Sequence, residues 1–342
     1  MKRLWGAVVG CGFIAEFHLR GWARIPDAEI CSLADPDGAR AEARRAAFAP
    51  EARVYDCLES VLPREPLDFV DIITPPWLHR EHCLLAAQAG LHVICQKPLC
   101  DRLADAESLV EALRHHPGHF VVHENHRCRP WFQEVIRLQR AGFFGQLRHV
   151  QLEQHDPVEP PGKNDLEAEQ GVLLQYGVPL VDMVHALLGD PTRVHAWMQR
   201  INPRVRGESL AHVVMDYAGL AAVVDVSWKP VGLQQGRALV VGDKGEAYYE
   251  GRMTRADTAR FRVCHGNTVV RDEVRSPTAD YVDSFYQFER DFTGAVLNGR
   301  PPPQPAAENL RSLRVAFAAY ESARSGGAVE MRRFGPKRAG AT

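Results

Sequence analysis

The chain opens on short apolar runs separated by stretches with helical spacing. Residues 4–10, LWGAVVG, are almost continuously apolar, and FIAEFHLRGWARI (13–25) then repeats its apolar positions every three to four residues. AEICSLAD (28–35) predicts a second strand and PDGARAEARRAAFA (36–49) an Ala/Arg/Glu-rich helix. DFVDIIT (68–74) and HVIC (92–95) are buried-strand runs, parted by the helical HREHCLLAAQAG, which Gly90 ends. LADAESLVEALRHH and HFVVHEN add another helix–strand pair. Strands alternating with helices predict a parallel, doubly wound sheet.

Near Asn125 the pattern changes. After the helical WFQEVIRLQRAG come long runs that alternate with period two: LRHVQLEQH, RVHAWMQRI, LAHVVMDYAG, AAVVDVSWK, GRALVVGD and GEAYYEG. Such alternation predicts a mainly antiparallel sheet with one wet face. The helical GVLLQYGVPLVDMVHALLG (171–189) interrupts it, and the stretch from Tyr281 to Gly327 is helical, split by RPPPQP. The reading is therefore α/β with two domains, 1–124 and 125–342. Pro157–Lys163, PVEPPGK, is expected to be a mobile loop, since its prolines cannot join a central ladder.

Composition narrows the partners. Of 342 residues 25% are charged, and the formal net charge is −2, which provides no basic field for nucleic acid. The basic RRFGPKRAG near the C-terminus reads as a solvated tail. No run approaches the roughly 18 apolar residues of a membrane span, and the first residues lead straight into glycines rather than a leader's cleavage site. Eight scattered cysteines without a C-x-x-C pair suit a reducing cytoplasm.

Between the first strand and helix lies Gly10-x-Gly12-x-x-Ala15, with Phe13 and Ile14 completing the turn. Gly10 permits a tight turn, Gly12 the close approach of a pyrophosphate, and Ala15 close helix–strand packing. Asp35 closes the second strand, where a carboxylate bonds a ribose 2′-hydroxyl. With Asp37 it repels a 2′-phosphate, so NAD(H) is preferred over NADP(H), with Arg40 the one opposing charge. Thr74, Pro75 and His79 in TPPWLHREH follow a strand end on the cofactor side and are expected to touch the dinucleotide. No carboxylate or cysteine completes a metal set with His79 and His82. His119, His123 and His126 could bind a metal, but a nicotinamide enzyme needs none and they read as structural histidines, so no metal is expected.

LHVICQKPLC (91–100) carries the chemistry. Gln96 and Lys97 sit at the mouth of a buried strand, with Pro98 locked behind them. Burying an ammonium is costly. Beside a nicotinamide, however, it can hold a substrate hydroxyl and ease proton loss as hydride leaves.

VVGCGFIAEFH, ITPPWLH, AGLHVICQKPL and HENHRCRP together resemble the glucose–fructose oxidoreductase / inositol dehydrogenase / rhizopine-catabolism (Gfo/Idh/MocA) family. GVLLQYGVPLVDMVHALLG, VVGDKGEAYYEG and AYESARSGGAVEM extend the resemblance over nearly the whole chain. It implies a Rossmann domain followed by an α/β domain with an open antiparallel sheet. It also implies redox chemistry at a secondary hydroxyl or ketone of a sugar, glycoside or cyclitol, and homo-oligomers built through the outer sheet face.

Two departures stand out. Gln96 replaces the acid of the family's Glu-Lys-Pro, and Gln175, Gly177, Pro179 and Asp182 occupy the positions of Asp-x-Gly-x-His-x-x-Asp. Proline carries no proton, and glutamine is no base. Lys97 then works alone or with Tyr176, Asp182 or His185. Regular helical spacing puts 175, 179, 182 and 185 on one stripe and turns Tyr176 away. Alternatively, bound NAD oxidises only transiently, in an elimination or epimerisation, or the protein keeps the cofactor as a sensor or scaffold. Asn125, Arg127 and Arg129 of HENHRCRP lie beside the expected cleft, where an arginine either holds a carboxylate or phosphate bidentately or forms a domain-junction salt bridge. Asn125 is expected at the cofactor, and Arg127, Gln175 and Asp182 at the substrate.

Overall fold

The computed structural model describes residues 3–157, 167–251 and 258–335. Apart from Pro157, the loop expected at Pro157–Lys163 lies outside them. In chain order the helices are α1 (Ala15–Trp22), α2 (Gly38–Phe48), α3 (Leu58–Val61), α4 (Pro76–Gln88) and α5 (Leu103–Ala112). They continue with α6 (Pro130–Arg140), α7 (Val178–Leu188), α8 (Pro277–Leu297) and α9 (Ala306–Ser325).

Two compact units result: Met1–Cys128 with Val282–Leu310, and Arg129–Tyr281 with Arg311–Thr342. This differs from the contiguous 1–124/125–342 division expected from the sequence, because most of α8 returns to the first unit. Phe288 and Phe292 of that helix are wholly buried in a core with Leu4, Trp22, Phe69 and Ile94. The Trp22 and Phe69 rings lie 4.6 Å apart, and Phe292 meets Phe69 edge-on at 5.7 Å. Each such ring buries on the order of 150–250 Å², enough to hold a helix far from its neighbours in sequence.

The first unit is built on β1 (Leu4–Val9), β2 (Ala28–Ala34), β3 (Arg53–Tyr55), β4 (Phe69–Ile72), β5 (His92–Gln96) and β6 (Phe120–His123). All pairings are parallel, in the order β3-β2-β1-β4-β5-β6. The order reverses between β1 and β4, which opens the crevice where such sheets bind ligands.

The second unit carries β7 (Leu147–Asp156), β8 (Arg193–Gln199), β9 (Leu210–Asp216), β10 (Ala221–Trp228), β11 (Gln235–Gly242) and β12 (Gly245–Gly251). β13 (Ala259–His265), β14 (Thr268–Arg275) and β15 (Val329–Glu330) complete the sheet. Its order is β14-β13-β12-β11-β7-β10-β9-β8-β15, and only β7 with β10 pairs in parallel. Buried and wet positions alternate along β7, β9 and β10 as their sequences predict. The hairpin β13–β14 has no counterpart in the sequence reading. Every residue of β14 is exposed or half-exposed, so that edge strand carries no period-two signal.

The helix predicted over 171–189 is not uniform. Leu173–Gly177 form a π turn, and the amide of Val178 bonds the carbonyl of Leu173, five residues back. Pro179 is the cause: it has no N–H for the carbonyl of Gln175, and its ring would crowd that group. A π turn inserts about one residue into the helical count. The stripe joining 175 to 179, 182 and 185, and the turning away of Tyr176, therefore do not follow from regular spacing.

Candidate active site

The glycine loop has the form its sequence requires. Gly10 adopts φ +95°, and a Cβ there would lie 2.6 Å from the carbonyl oxygen of Ile73 on the neighbouring strand, so only glycine fits. A Cβ on Gly12 would meet no heavy atom within 4 Å, which leaves that backbone open to a phosphate group. Phe13 is 45% exposed, and Ile14 leads into α1. The loop is braced from two sides. The carboxylate of Asp35 accepts from the amides of Cys11 (2.7 Å) and Asp37 (2.8 Å), and Arg44 donates to the Gly12 carbonyl (3.2 Å). Asp35 is only 4% exposed. Arg40, set against NAD on sequence, pairs with Asp37 at 3.1 Å and lies 3.6 Å from Asp35. Burial, helped by Asp35, pushes the Cys11 thiol up to about 12, so it stays protonated. These residues fit a dinucleotide, with open backbone where the pyrophosphate belongs and a fixed acid at the end of β2.

Beyond β4, the turn from Thr74 to His82 folds back on itself. His79 Nε2 meets the Thr74 carbonyl at 2.7 Å, and Nδ1 meets those of Pro98 and Leu99 at 3.0 and 3.2 Å. Its ring is wholly buried and driven down to about 4 by desolvation, against the pull of the three carbonyls. The expected dinucleotide contact is therefore not a role for its side chain, which instead ties the Thr74 turn to the segment after Lys97. His82 holds the Thr74 hydroxyl at 3.0 Å. Pro75 caps α4, and Thr74 remains at the strand mouth.

Lys97 follows the last residue of β5 and is half-buried. Its amide donates to Oε1 of Gln96 at 2.7 Å. The amide nitrogen of the Gln96 side chain lies 2.7 Å from Nε2 of His18, and Nδ1 of His18 lies 2.8 Å from Asp71. The indole of Trp22 donates to the same Asp71 oxygen at 2.8 Å. Gln96 is thus a buried interior link rather than a cofactor contact through its side chain.

His123 and Glu289 close against this group, at 3.8 Å from each other, with Glu289 4.0 Å from His18. All three are wholly buried, and neither His123 nor Glu289 has a hydrogen-bond partner within range among the described residues. Ligand atoms of His18, His123 and Glu289 lie within 4.8 Å of one another. Both nitrogens of His18 are already engaged, however, which leaves two ligands, fewer than a structural metal site uses. Desolvation, followed by Asp71, pushes the Glu289 carboxyl well above its usual range, and burial keeps His123 well below its own. A Cβ on Gly21 would lie 1.9 Å from Glu289, so that glycine makes room for the carboxyl.

The sequence reading singled out none of His18, Asp71 or Glu289. Asp71 was detectable as a charge inside an otherwise apolar strand, and Glu289 as an acid on the buried face of α8, next to Phe288.

HENHRCRP divides between local tasks. Asn125 donates to Ser284 at 3.0 Å, and Arg127 pairs with Glu308 at 2.5 Å. Arg129 is wholly buried, its guanidinium 5.3 Å from the Tyr281 ring centre.

In the second unit Gln175 and Tyr176 are half-buried on the π turn, with Tyr176 edge-on to Trp228 at 5.4 Å. Asp182 is wholly buried and accepts from Ser312 at 2.7 Å. Nδ1 of His185 is 3.1 Å from the same hydroxyl, and Nε2 is 3.1 Å from Asp190. The structure thus brings Gln96 and Lys97 together in the first unit, and Asp182 and His185 around Ser312 in the second.

Residues 6–124 match the profile described as the oxidoreductase family, NAD-binding Rossmann fold, and residues 132–248 match the Gfo/Idh/MocA C-terminal domain. This chain belongs to the Gfo/Idh/MocA oxidoreductase family. It is 33% identical to a D-apiose dehydrogenase of Paraburkholderia graminis, over 97% of this chain and 91% of that protein. To a D-xylose 1-dehydrogenase (NADP(+)) of Haloferax volcanii it is 26% identical, over 85% and 90%. Its fold matches an oxidoreductase from Agrobacterium radiobacter, solved with NAD+, L-tartaric acid and magnesium. The TM-score is 0.87 at 24% identity, over 97% of this chain and 99% of that one. The chain is an oxidoreductase with an NAD-binding Rossmann domain, and no helix among the described residues is long and apolar enough to cross a membrane.

Proposed function

We propose that this protein is an NAD(H)-dependent dehydrogenase that transfers hydride to or from a secondary hydroxyl or ketone of a sugar or cyclitol, with Lys97 as its central catalytic residue. The observation that carries the reading is Lys97 itself. It is an ammonium-bearing side chain at the carboxyl end of a parallel strand, its main chain fixed by a part-buried hydrogen bond to Gln96, in the unit that holds the glycine loop.

Oxidation removes a hydride from the carbinol carbon and a proton from its oxygen, and a bound nicotinamide supplies the hydride acceptor. Lys97 holds the oxygen and stabilises the charge that grows on it as the proton departs. Asp182 is our choice of proton partner. Unlike Gln175 and Pro179, which stand in place of the usual acid and histidine, it is a carboxylate. Gln175 and Arg127 are proposed as substrate contacts. Asp35, at the end of β2, favours NAD(H) by repelling a 2′-phosphate, and Arg40 is already committed to Asp37.

The second sheet, with Trp197 54% exposed on β8, supports assembly of copies through that unit. Eight cysteines, none of them in a disulfide among the described residues, support a reducing, cytoplasmic setting.

A panel containing D-apiose, D-xylose and myo-inositol, assayed with NAD+ and NADP+, tests the reading. Turnover with NAD+ that falls roughly 10²- to 10⁴-fold in Lys97→Ala is expected. Undiminished turnover in that variant overturns the role of Lys97. Tight NAD+ binding with no turnover of any polyol overturns the dehydrogenase in favour of a dinucleotide-binding sensor.

A further inference from the structure

We propose that Asp71, His18 and Gln96 form a positioning chain for Lys97, passing a fixed hydrogen-bond polarity from the interior of β4 to the main chain that carries the lysine. This rests on the catalytic role proposed for Lys97.

The polarity follows from one group that has no choice. The Lys97 N–H can only donate, so the Gln96 atom 2.7 Å from it must be the carbonyl oxygen. The NH2 end of Gln96 then faces His18, and Nε2 of His18 must accept. That places the ring proton on Nδ1, where it donates to Asp71. Trp22 donates to the same oxygen and keeps it an acceptor. The side chains of Gln96, His18, Asp71 and Trp22 are buried, the bond to the Lys97 amide is part-buried, and each bond is 2.7–2.8 Å long. Reversing any link would set donor against donor or acceptor against acceptor in a site without water to relieve it.

Glutamine at position 96 makes the chain specific to a neutral His18. A carboxylate there could only accept, from Lys97 at one end and from His18 at the other. Nε2 would then need a proton, giving an imidazolium held between the Asp71 carboxylate and the introduced one. The other groups facing the ring are His123 of β6, whose ring centre lies 4.2 Å away, and Glu289 of α8 at 4.0 Å. None of them donates a hydrogen bond to Nε2 in place of Gln96.

The test is the pH dependence of kcat for wild type, Gln96→Glu and Gln96→Met, with Lys97→Ala run in parallel. Gln96→Met removes both bonds at similar volume. It should lower kcat by up to ~100-fold through misplacement of Lys97 and lower the melting temperature, because His18 Nε2 loses its donor, while NAD+ affinity changes little. Gln96→Glu should keep near-normal kcat at acidic pH and lose it along a new alkaline limb, since the introduced carboxylate can only accept and needs a donor at Nε2. That limb should be absent from wild type and from Gln96→Glu combined with His18→Asn.

Gln96→Glu and Gln96→Met profiles that superimpose on wild type overturn the positioning chain, even where Lys97→Ala is inactive. An active Lys97→Ala overturns the underlying role of Lys97 instead. Should Gln96→Met fail to fold, the Gln96→Glu limb decides alone.

Discussion

His79 couples acid to the stability of the first unit. The native ring is held neutral, driven down to about 4, whereas in the unfolded chain it takes up a proton near the ordinary 6.5. The unfolded state therefore binds more protons between these values, and stability is lost as pH falls from 6.5 towards 4. The loss reaches ~3 kcal/mol and is complete below 4. Thermal melts of wild type and His79→Gln across this range should show a steep acid limb that the variant flattens. An unchanged limb would place the acid sensitivity elsewhere.

Glu289 has the opposite sign. Its native carboxyl ionises well above the usual range, so the native state binds the extra proton. Stability falls as pH rises from the unfolded carboxyl's ~4.3 through the raised native value. Glu289→Gln cannot ionise and should gain stability relative to wild type as the solution is made alkaline. A variant that loses stability at every pH would contradict a protonated Glu289.

At the scale of the element, the segment carrying Gln175, Tyr176 and Asp182 depends on its start. The side chain of Glu208 accepts from the amides of Gly171 (2.8 Å) and Leu173 (2.9 Å), and its main-chain carbonyl takes that of Val172 (2.9 Å). The Leu174 amide bonds the Tyr320 hydroxyl (3.2 Å), which itself donates to Glu208 at 2.8 Å. All four donors that a helix start leaves over are thereby satisfied. Glu208→Ala orphans several buried groups at ~1–3 kcal/mol each, so urea unfolding should show a loss of about 3 kcal/mol or more. Glu208→Gln keeps one accepting oxygen and should lose less. Equal, small losses would mean that the cap contributes little.

This element also marks where sequence patterns stop being informative. The run 171–189 announces a helix. The π turn arises from a clash between Pro179 and a carbonyl four residues earlier, which an average period does not register. In the first unit β1, β2, β4, β5 and β6 were legible because they are largely buried and read as near-continuous apolar runs, whereas β3, exposed or half-buried throughout, was not. β14 was not, because both of its faces are wet.

Across the whole molecule, the conformation of the glycine loop and the places of Asp35 and Lys97 at strand ends were readable because they depend on local chain geometry: a turn, a strand end, a lysine before a proline. The group around His18 of α1 was not, since Asp71, Gln96, His123 and Glu289 arrive from three strands and a returning helix and meet only after folding. The return of α8 was hidden for the same reason, with Phe288 and Phe292 drawing it back to the core of the first unit.

What all of this supports is a redox coenzyme held at the Gly10–Gly12 loop within reach of Lys97. Titration calorimetry of the full chain with NAD+ and NADP+, for wild type and Gly12→Val, tests that most directly. Wild type should bind NAD+ at least ~10-fold more tightly than NADP+, a difference of about 1.4 kcal/mol. Gly12→Val, with an unchanged melting temperature, should bind neither. No heat with either dinucleotide, or equal NAD+ affinity in the two proteins, would contradict the account.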